Sequence, residues 1–258
     1  MNILTYLKKQ KSTFAESPFN SVDALVLCWL AYFSFPDYLK SGESVALKDI
    51  VSRGLLPEEK MYAEAYKLKT SKMFFKKLTE SERFKTAELC DFVSEKDDEL
   101  EKQFAAVCVK ISENEYFLAF RGTDPSFTGW KEDFNLICRY PVPAQSAAAE
   151  YFAREAEKFP EANFYLGGHS KGGNLAEYSA AHADKSARRR IKAVYNFDGP
   201  GFIGEVCAES VIKIVPKSSF VGALLDRRNN FGIIKSRAFG FLQHDPFSWT
   251  VKGDDCVS

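Results

Sequence analysis

The chain has 258 residues, 45% of them hydrophobic, and its 35 Lys+Arg are matched by 35 Asp+Glu. That length and hydrophobic share suit one α/β domain with a substantial core, and the zero net charge supplies no overall field to attract nucleic acid or an anionic membrane. The six cysteines, Cys28, Cys90, Cys108, Cys138, Cys207 and Cys256, have no C-x-x-C spacing, which argues against a zinc site or a dithiol redox motif and for reduced thiols. Residues 1–10 lack the pattern of a cleavable secretion signal, so a cytoplasmic protein is expected.

Ala24 to Phe35 is the longest apolar run, too short to cross a bilayer as a helix. It reads as a buried core helix, capped at its start by Asn20 or Ser21 and stopped by Pro36. Residues from about Leu47 to Leu100 are rich in Lys and Glu with apolar side chains at near-helical spacing. They are expected to form two or three helices, and about 45–100 would make a helical insertion or cap-like segment within a single domain spanning 1–258. Gln103 to Ile111 and Tyr116 to Gly122 read as a hairpin joined by a Ser-Glu-Asn-Glu turn, and Thr128 to Asn135 as a further helical segment. Ser146 to Phe159 is an amphipathic helix ended by Pro160.

The next stretch organises the chain. Phe164 to Leu166 is a buried strand that ends in glycines, and Leu175 onward has helix-compatible composition, so Ser170 falls at the junction. Gly168-His-Ser-Lys-Gly172 is the G-x-S-x-G pattern of a nucleophile elbow. A turn this tight needs residues without a Cβ two positions either side of the serine, and it leaves the Lys171 amide at the helix start, where an oxyanion would form. Arg188-Arg-Arg190 reads as a solvated helix end, followed by strands at Ile191 to Phe197, Val211 to Pro216 and Gly232 to Ala238, then a loop with His244. This alternation is that of a mostly parallel central sheet flanked by helices.

A serine hydroxyl needs a base, and the chain holds three histidines. His169 adjoins Ser170 and is expected to point into the packing below the turn, while His182 lies three turns along the helix. His244 remains, in the order Ser, Asp, His that such elbows use. Asp198, where the strand after the elbow helix ends, is the first choice of acid. Asp226, beside Arg227 and Arg228, is the second, read as a surface ion pair.

Phe120-Arg-Gly-Thr-Asp124, Trp130-Lys-Glu-Asp133, Gly168-His-Ser-Lys-Gly-Gly173 and the terminal histidine resemble the class 3 lipases of the α/β-hydrolase fold. Asn20-Ser-Val-Asp-Ala-Leu25, Ile214 to Gly222 and Gln243-His-Asp-Pro-Phe-Ser-Trp249 resemble more narrowly the bacterial Mbeg1-like group. The resemblance implies an α/β-hydrolase fold with a helical N-terminal addition. It also implies a serine esterase acting on a small-molecule ester or lipid without a cofactor, and a second oxyanion amide from Thr123. The sequence departs from the class 3 pattern at the acid, because the corresponding stretch reads Pro216-Lys-Ser-Ser219. A non-catalytic binding protein on the same fold is the alternative reading. A nucleotide-binding protein is a lesser one, from the G-x-G-x-x-G spacing of Gly199 to Gly204, which lies too late in the chain for that fingerprint. Lys217 to Asp226, with Phe220, Val221, Leu224, Leu225 and a potentially hinging Gly222, reads equally as a cover over an acyl chain or as a packed segment.

Overall fold

The computed structural model describes residues 1–35, 39, 43–52, 67–123, 127–136, 138–228 and 230–256. Among them, nine strands form one mixed sheet in sequential order, β1 to β9. The short β1 (Val45–Ala46) and then β2 (Glu88–Asp97), β3 (Lys102–Ser112) and β4 (Glu115–Phe120) pair antiparallel. From β4 onward the sheet is parallel through β5 (Asn163–His169), β6 (Ile191–Phe197), β7 (Val211–Pro216) and β8 (Gly232–Ser236), and the short β9 (Trp249–Thr250) closes it antiparallel. The parallel half, as expected, carries the elbow.

Side chains alternate across the pleat, so the two faces feed two separate cores. Val107, Val109, Phe117, Ala119, Tyr195 and Phe197 pack with the N-terminal helices α1 (Ile3–Lys9), α2 (Ser21–Cys28), α3 (Leu47–Ser52) and α4 (Leu68–Thr79). Past α5 (Phe127–Asn135), the opposite face carries α6 (Pro143–Lys158) and α7 (Lys171–His182), which cover Ala106, Cys108, Leu118, Phe120, Phe164 and Val194. The helical N-terminal addition is thus one of the two layers that a sheet buried on both faces requires.

The apolar run after Asp23 is a buried helix, as its composition indicates, and it continues as a 3-10 turn at Trp29–Tyr32. Asn20 caps it, accepting from the amides of Val22 and Asp23, while the Asp23 carboxylate accepts from the Asn20 amide in return. Asp23 and Arg83 form a fully buried ion pair, with Arg83 Nε donating to Asp23 Oδ1 at 2.7 Å and Tyr6 adding its hydroxyl at 2.8 Å. The charge is compensated, and the remaining guanidinium protons go to the carbonyls of Ser12, Thr13, Ser17 and Pro18.

Two sequence expectations are corrected. The helical reading of 45–100 holds at α3 and α4 but fails at residues 88–97, which form β2, the partner of β3; residues 53–66 lie outside the described ones. The apolar stretch there, Leu89 to Val93, is short and set among charges, and a bulge between Leu89 and Asp91 breaks its alternation, so long-range pairing decides its state. Arg190 is not merely solvated. Its guanidinium donates to the carbonyls of Ala156, Phe159 and Ala162 and so caps the C-terminal end of α6. The six cysteines are free thiols.

One buried acid loads the second core. Glu155 of α6 is fully buried, and burial, reinforced by the Asp91 charge, pushes its carboxyl from the ordinary 4.5 up to about 7. The folded chain therefore keeps a proton that the unfolded chain loses above pH ~4.5, and stability falls as pH rises through that window to about 7. Glu155→Gln should raise stability at pH 8 by an amount on the order of 2–3 kcal/mol and change it little near pH 4. Urea unfolding at the two pH values measures this. A Gln variant no more stable than the parent at pH 8 would refute it.

Candidate active site

The elbow forms where β5 meets α7. Ser170 has φ 59° and ψ −133°, a backbone conformation that a residue with a Cβ adopts only when its surroundings hold it there. Main chain packs directly on main chain here. A Cβ on Gly168 would overlap the backbone of Gly172, and one on Gly172 would overlap the Phe120 carbonyl at the end of β4. The Ser170 amide donates to the Phe197 carbonyl at 2.9 Å, tying the turn to the end of β6 one residue before Asp198. Ser170 thus stands at the C-terminal edge of the parallel strands, where open α/β sheets present their sites.

Asp198 is fully buried and also has positive φ, 56°. Its Oδ2 accepts from His244 Nδ1 at 2.7 Å. That bond fixes the tautomer: with Nδ1 carrying the proton, Nε2 of neutral His244 is the basic nitrogen. The other oxygen, Oδ1, accepts from Ser219 Oγ, which in turn accepts from the Gly222 amide at 3.0 Å. Sequence reasoning missed Ser219. The stretch that lacks the class 3 carboxylate, Pro216 to Ser219, supplies a hydroxyl to the carboxylate that sits on β6 instead. The signal was present in that departure, but it becomes readable only when the end of β7 is seen beside the end of β6. Gly222 is closely packed: a Cβ there would collide with Asp198 Oδ1 and meet Val215 Cγ1 at 2.6 Å. Phe220, which the sequence reads equally as part of a cover or as a packed side chain, is 75% exposed.

Asp226 lies elsewhere. Its carboxylate pairs with Lys213 and Arg228, and Arg228 also reaches both oxygens of Glu177 at 3.0 Å. The cost of burying Asp226 is outweighed by the Arg228 and Lys213 bonds, which hold its carboxyl well below the usual range. This is a buried pair, with the Asp226 side chain 3% exposed, rather than the surface pair expected from the neighbouring arginines. Glu177 also accepts from Asn196 Nδ2 at 2.6 Å, and Asn196 Oδ1 accepts from the Gly199 amide at 2.7 Å. The network braces the turn that carries Asp198.

His169 packs below the turn as expected, but it also holds the His244 backbone. Its Nε2 donates to the His244 carbonyl at 2.8 Å and its Nδ1 accepts from the Tyr32 hydroxyl at 3.3 Å. Burial first, and then the neighbouring His244, push its pKa well below the ordinary 6.5, so it stays neutral. His182 is at the far end of α7, stacked on Tyr178. The Lys171 ammonium points away from the serine into a buried cluster with Glu132 Oε2 at 2.8 Å and Gln103 Oε1 at 2.9 Å. What Lys171 offers the site is its amide, in a helix first turn that has no intrahelical acceptor. Thr123 follows Gly122, whose Cβ position is 2.7 Å from the His169 carbonyl, so the end of β4 runs against the elbow.

The spacing of Gly199, Gly201 and Gly204 carries no nucleotide site of the expected kind. No helix follows it through residue 210, whereas the fingerprint needs a helix N-terminus for its phosphates. Gly199 packs on the Ser170 carbonyl and Gly201 on the Leu225 backbone.

Several solved lipases resemble the chain. A fungal lipase in an inhibitor complex aligns at 15% identity over 57% of this chain and 64% of its own, with a TM-score of 0.42, so this chain spans less than two thirds of it. The lipase from Rhizopus microsporus var. chinensis aligns at 12% identity over 90% and 79% of the two chains (TM-score 0.41), and lipase II from Rhizopus niveus at 13% over 77% and 74% (TM-score 0.38). No curated protein matches the sequence. The elbow serine after β5, on a parallel sheet covered by helices on both faces, is the arrangement of the α/β-hydrolase fold. The Mbeg1-like family model matches residues 78–258, well over half of the sequence, and the chain belongs to the Mbeg1-like family.

Proposed function

We propose that the protein is a serine hydrolase that cleaves carboxylic esters, with Ser170 as nucleophile, His244 as base and Asp198 as the acid that orients it. The observation that carries this reading is the 2.7 Å bond from His244 Nδ1 to the buried Asp198, formed beside a serine held at φ 59°. In the proposed cycle, Ser170 Oγ attacks the ester carbonyl carbon while its proton passes to His244 Nε2. The carbonyl π pair becomes an oxyanion, received by the amides of Lys171 and Thr123. The tetrahedral species collapses with loss of the alcohol, which takes the proton from His244, and leaves an acyl-Ser170. Water then attacks the acyl carbon, giving its proton to His244, and the acid leaves as Ser170 recovers its proton. Asp198 keeps its negative charge throughout, and Ser219 and the Glu177–Asn196 bracing keep it in place.

Substrate is expected to be a small-molecule ester or a lipid, with no cofactor required. No helix among the described residues is long and apolar enough to cross a membrane.

Ser170→Ala should abolish both hydrolysis of p-nitrophenyl esters and labelling by a fluorophosphonate while leaving the melting temperature close to the parent's. Residual turnover at the parental rate would remove Ser170 from the role. Asp198→Asn should lower kcat by several orders of magnitude, on the order of 10⁴. Asp226→Asn should instead cost stability, on the order of 3 kcal/mol, because Lys213 is left buried without its partner, and at temperatures where it stays folded it should keep most of its kcat. The reverse ranking would transfer the acid role to Asp226. Gly222→Ala should reduce kcat with KM little changed, since the added methyl displaces Asp198 rather than substrate; an unaltered kcat would show that the Ser219 segment does not position the acid.

A further inference from the structure

The loop that delivers His244 has an unusual outer surface. Phe239 is 88% exposed, Phe241 66% and Leu242 65%, although each of these side chains would gain about 1.5–3 kcal/mol from full burial. Phe220, 75% exposed, projects from the second loop that reaches the acid. These two loops converge: Ser219, next to Phe220, and His244, three residues beyond Phe241, bind the two oxygens of the same Asp198 carboxylate. The Phe241 ring lies 6.0 Å from the His244 ring. Four exposed apolar side chains therefore border the candidate site, whereas scattered surface hydrophobes carry no such meaning.

The charge around them is one-sided. In a chain of zero net charge, residues 211–243 hold Lys213, Lys217, Arg227, Arg228, Lys235 and Arg237 against one acid, Asp226. Asp226 is already spent on Lys213 and Arg228. Lys217, Arg227, Lys235 and Arg237 are all exposed. The next acid along the chain, Asp245, is paired with Lys67. Exposed aromatic and aliphatic side chains on segments that also carry exposed cations match the boundary between acyl chains and anionic headgroups. A second copy of the chain fits less well, because a two-fold contact through this face would bring the same positive charges together.

We infer that the Phe239–Leu242 loop, with Phe220, is a docking surface for an anionic phospholipid bilayer, which would bring the membrane face to the Ser170–His244 edge. The inference builds on the ester-hydrolase reading by naming where substrate is met, but docking itself does not require turnover. It is tested on the Ser170→Ala chain, by sedimentation with phosphatidylcholine vesicles containing or lacking phosphatidylglycerol. Binding is expected with phosphatidylglycerol present, weaker on phosphatidylcholine alone, and reduced by raised salt. Phe239→Ser with Phe241→Ser should abolish it, and Lys235→Ala with Arg237→Ala should weaken it on the order of 10- to 30-fold.

With Ser170 restored, Phe239→Ser alone should hydrolyse a soluble acetate ester like the parent. Failure of the Ser170→Ala chain to sediment with either vesicle overturns the docking surface. Binding that survives the Phe pair does so as well, as does a concentration-dependent dimer in gel filtration that the Phe pair abolishes. Vesicle binding without ester hydrolysis or fluorophosphonate labelling of the Ser170 chain would keep the docking surface and remove the hydrolase reading.

Discussion

Main chain meets main chain where β4, β5 and α7 converge, and there is no space at Gly168 or Gly172 for even one methyl group. This contact puts Ser170 in a conformation that the residue alone would avoid, at a cost of order 1–3 kcal/mol that the surrounding sheet must offset. The offset comes from both faces. Phe120, Phe164 and Leu166 anchor the strands against α6 and α7, while Phe117, Ala119 and Phe197 anchor them against the N-terminal layer. A loosened core on either side would relax the turn and withdraw the serine from the sheet edge.

Asp198 is held by a different kind of constraint. Asp198 emerges from β6 in a positive-φ conformation, and the polar groups behind it are satisfied in sequence: Gly199 by Asn196, Asn196 by Glu177, Glu177 by Arg228, Arg228 by Asp226, and Asp226 by Lys213. A buried network of this sort is rigid when complete and costly when any member is lost. It explains why so many charged side chains sit behind the Asp198 carboxylate, which is itself bonded to His244 and Ser219.

Local signals made much of this legible in the sequence. The strand, turn and helix of the elbow lie within one short stretch, and the β3–β4 hairpin is bounded by its own turn. The order Ser170, Asp198, His244 follows the chain, and the last two of these residues are hydrogen-bonded to each other. What stayed hidden depends on neighbours distant in sequence. β2 becomes a strand because β3 is beside it, despite a Lys- and Glu-rich composition that reads as helix. Ser219 touches Asp198 across 21 residues, and Arg190 caps a helix that ended some thirty residues earlier. No periodicity records such pairings, since each is set by sheet order rather than by local propensity.

The bond from His169 to the His244 carbonyl joins Ser170 and His244 through the residue that precedes the serine. Ser170 and the backbone of His244 therefore belong to one covalent and hydrogen-bonded ring, which closes through Asp198 and the Phe197 carbonyl at the end of β6. A displacement of His244 would therefore be felt at both ends of that ring, through His169 at the elbow and through Asp198 after β6.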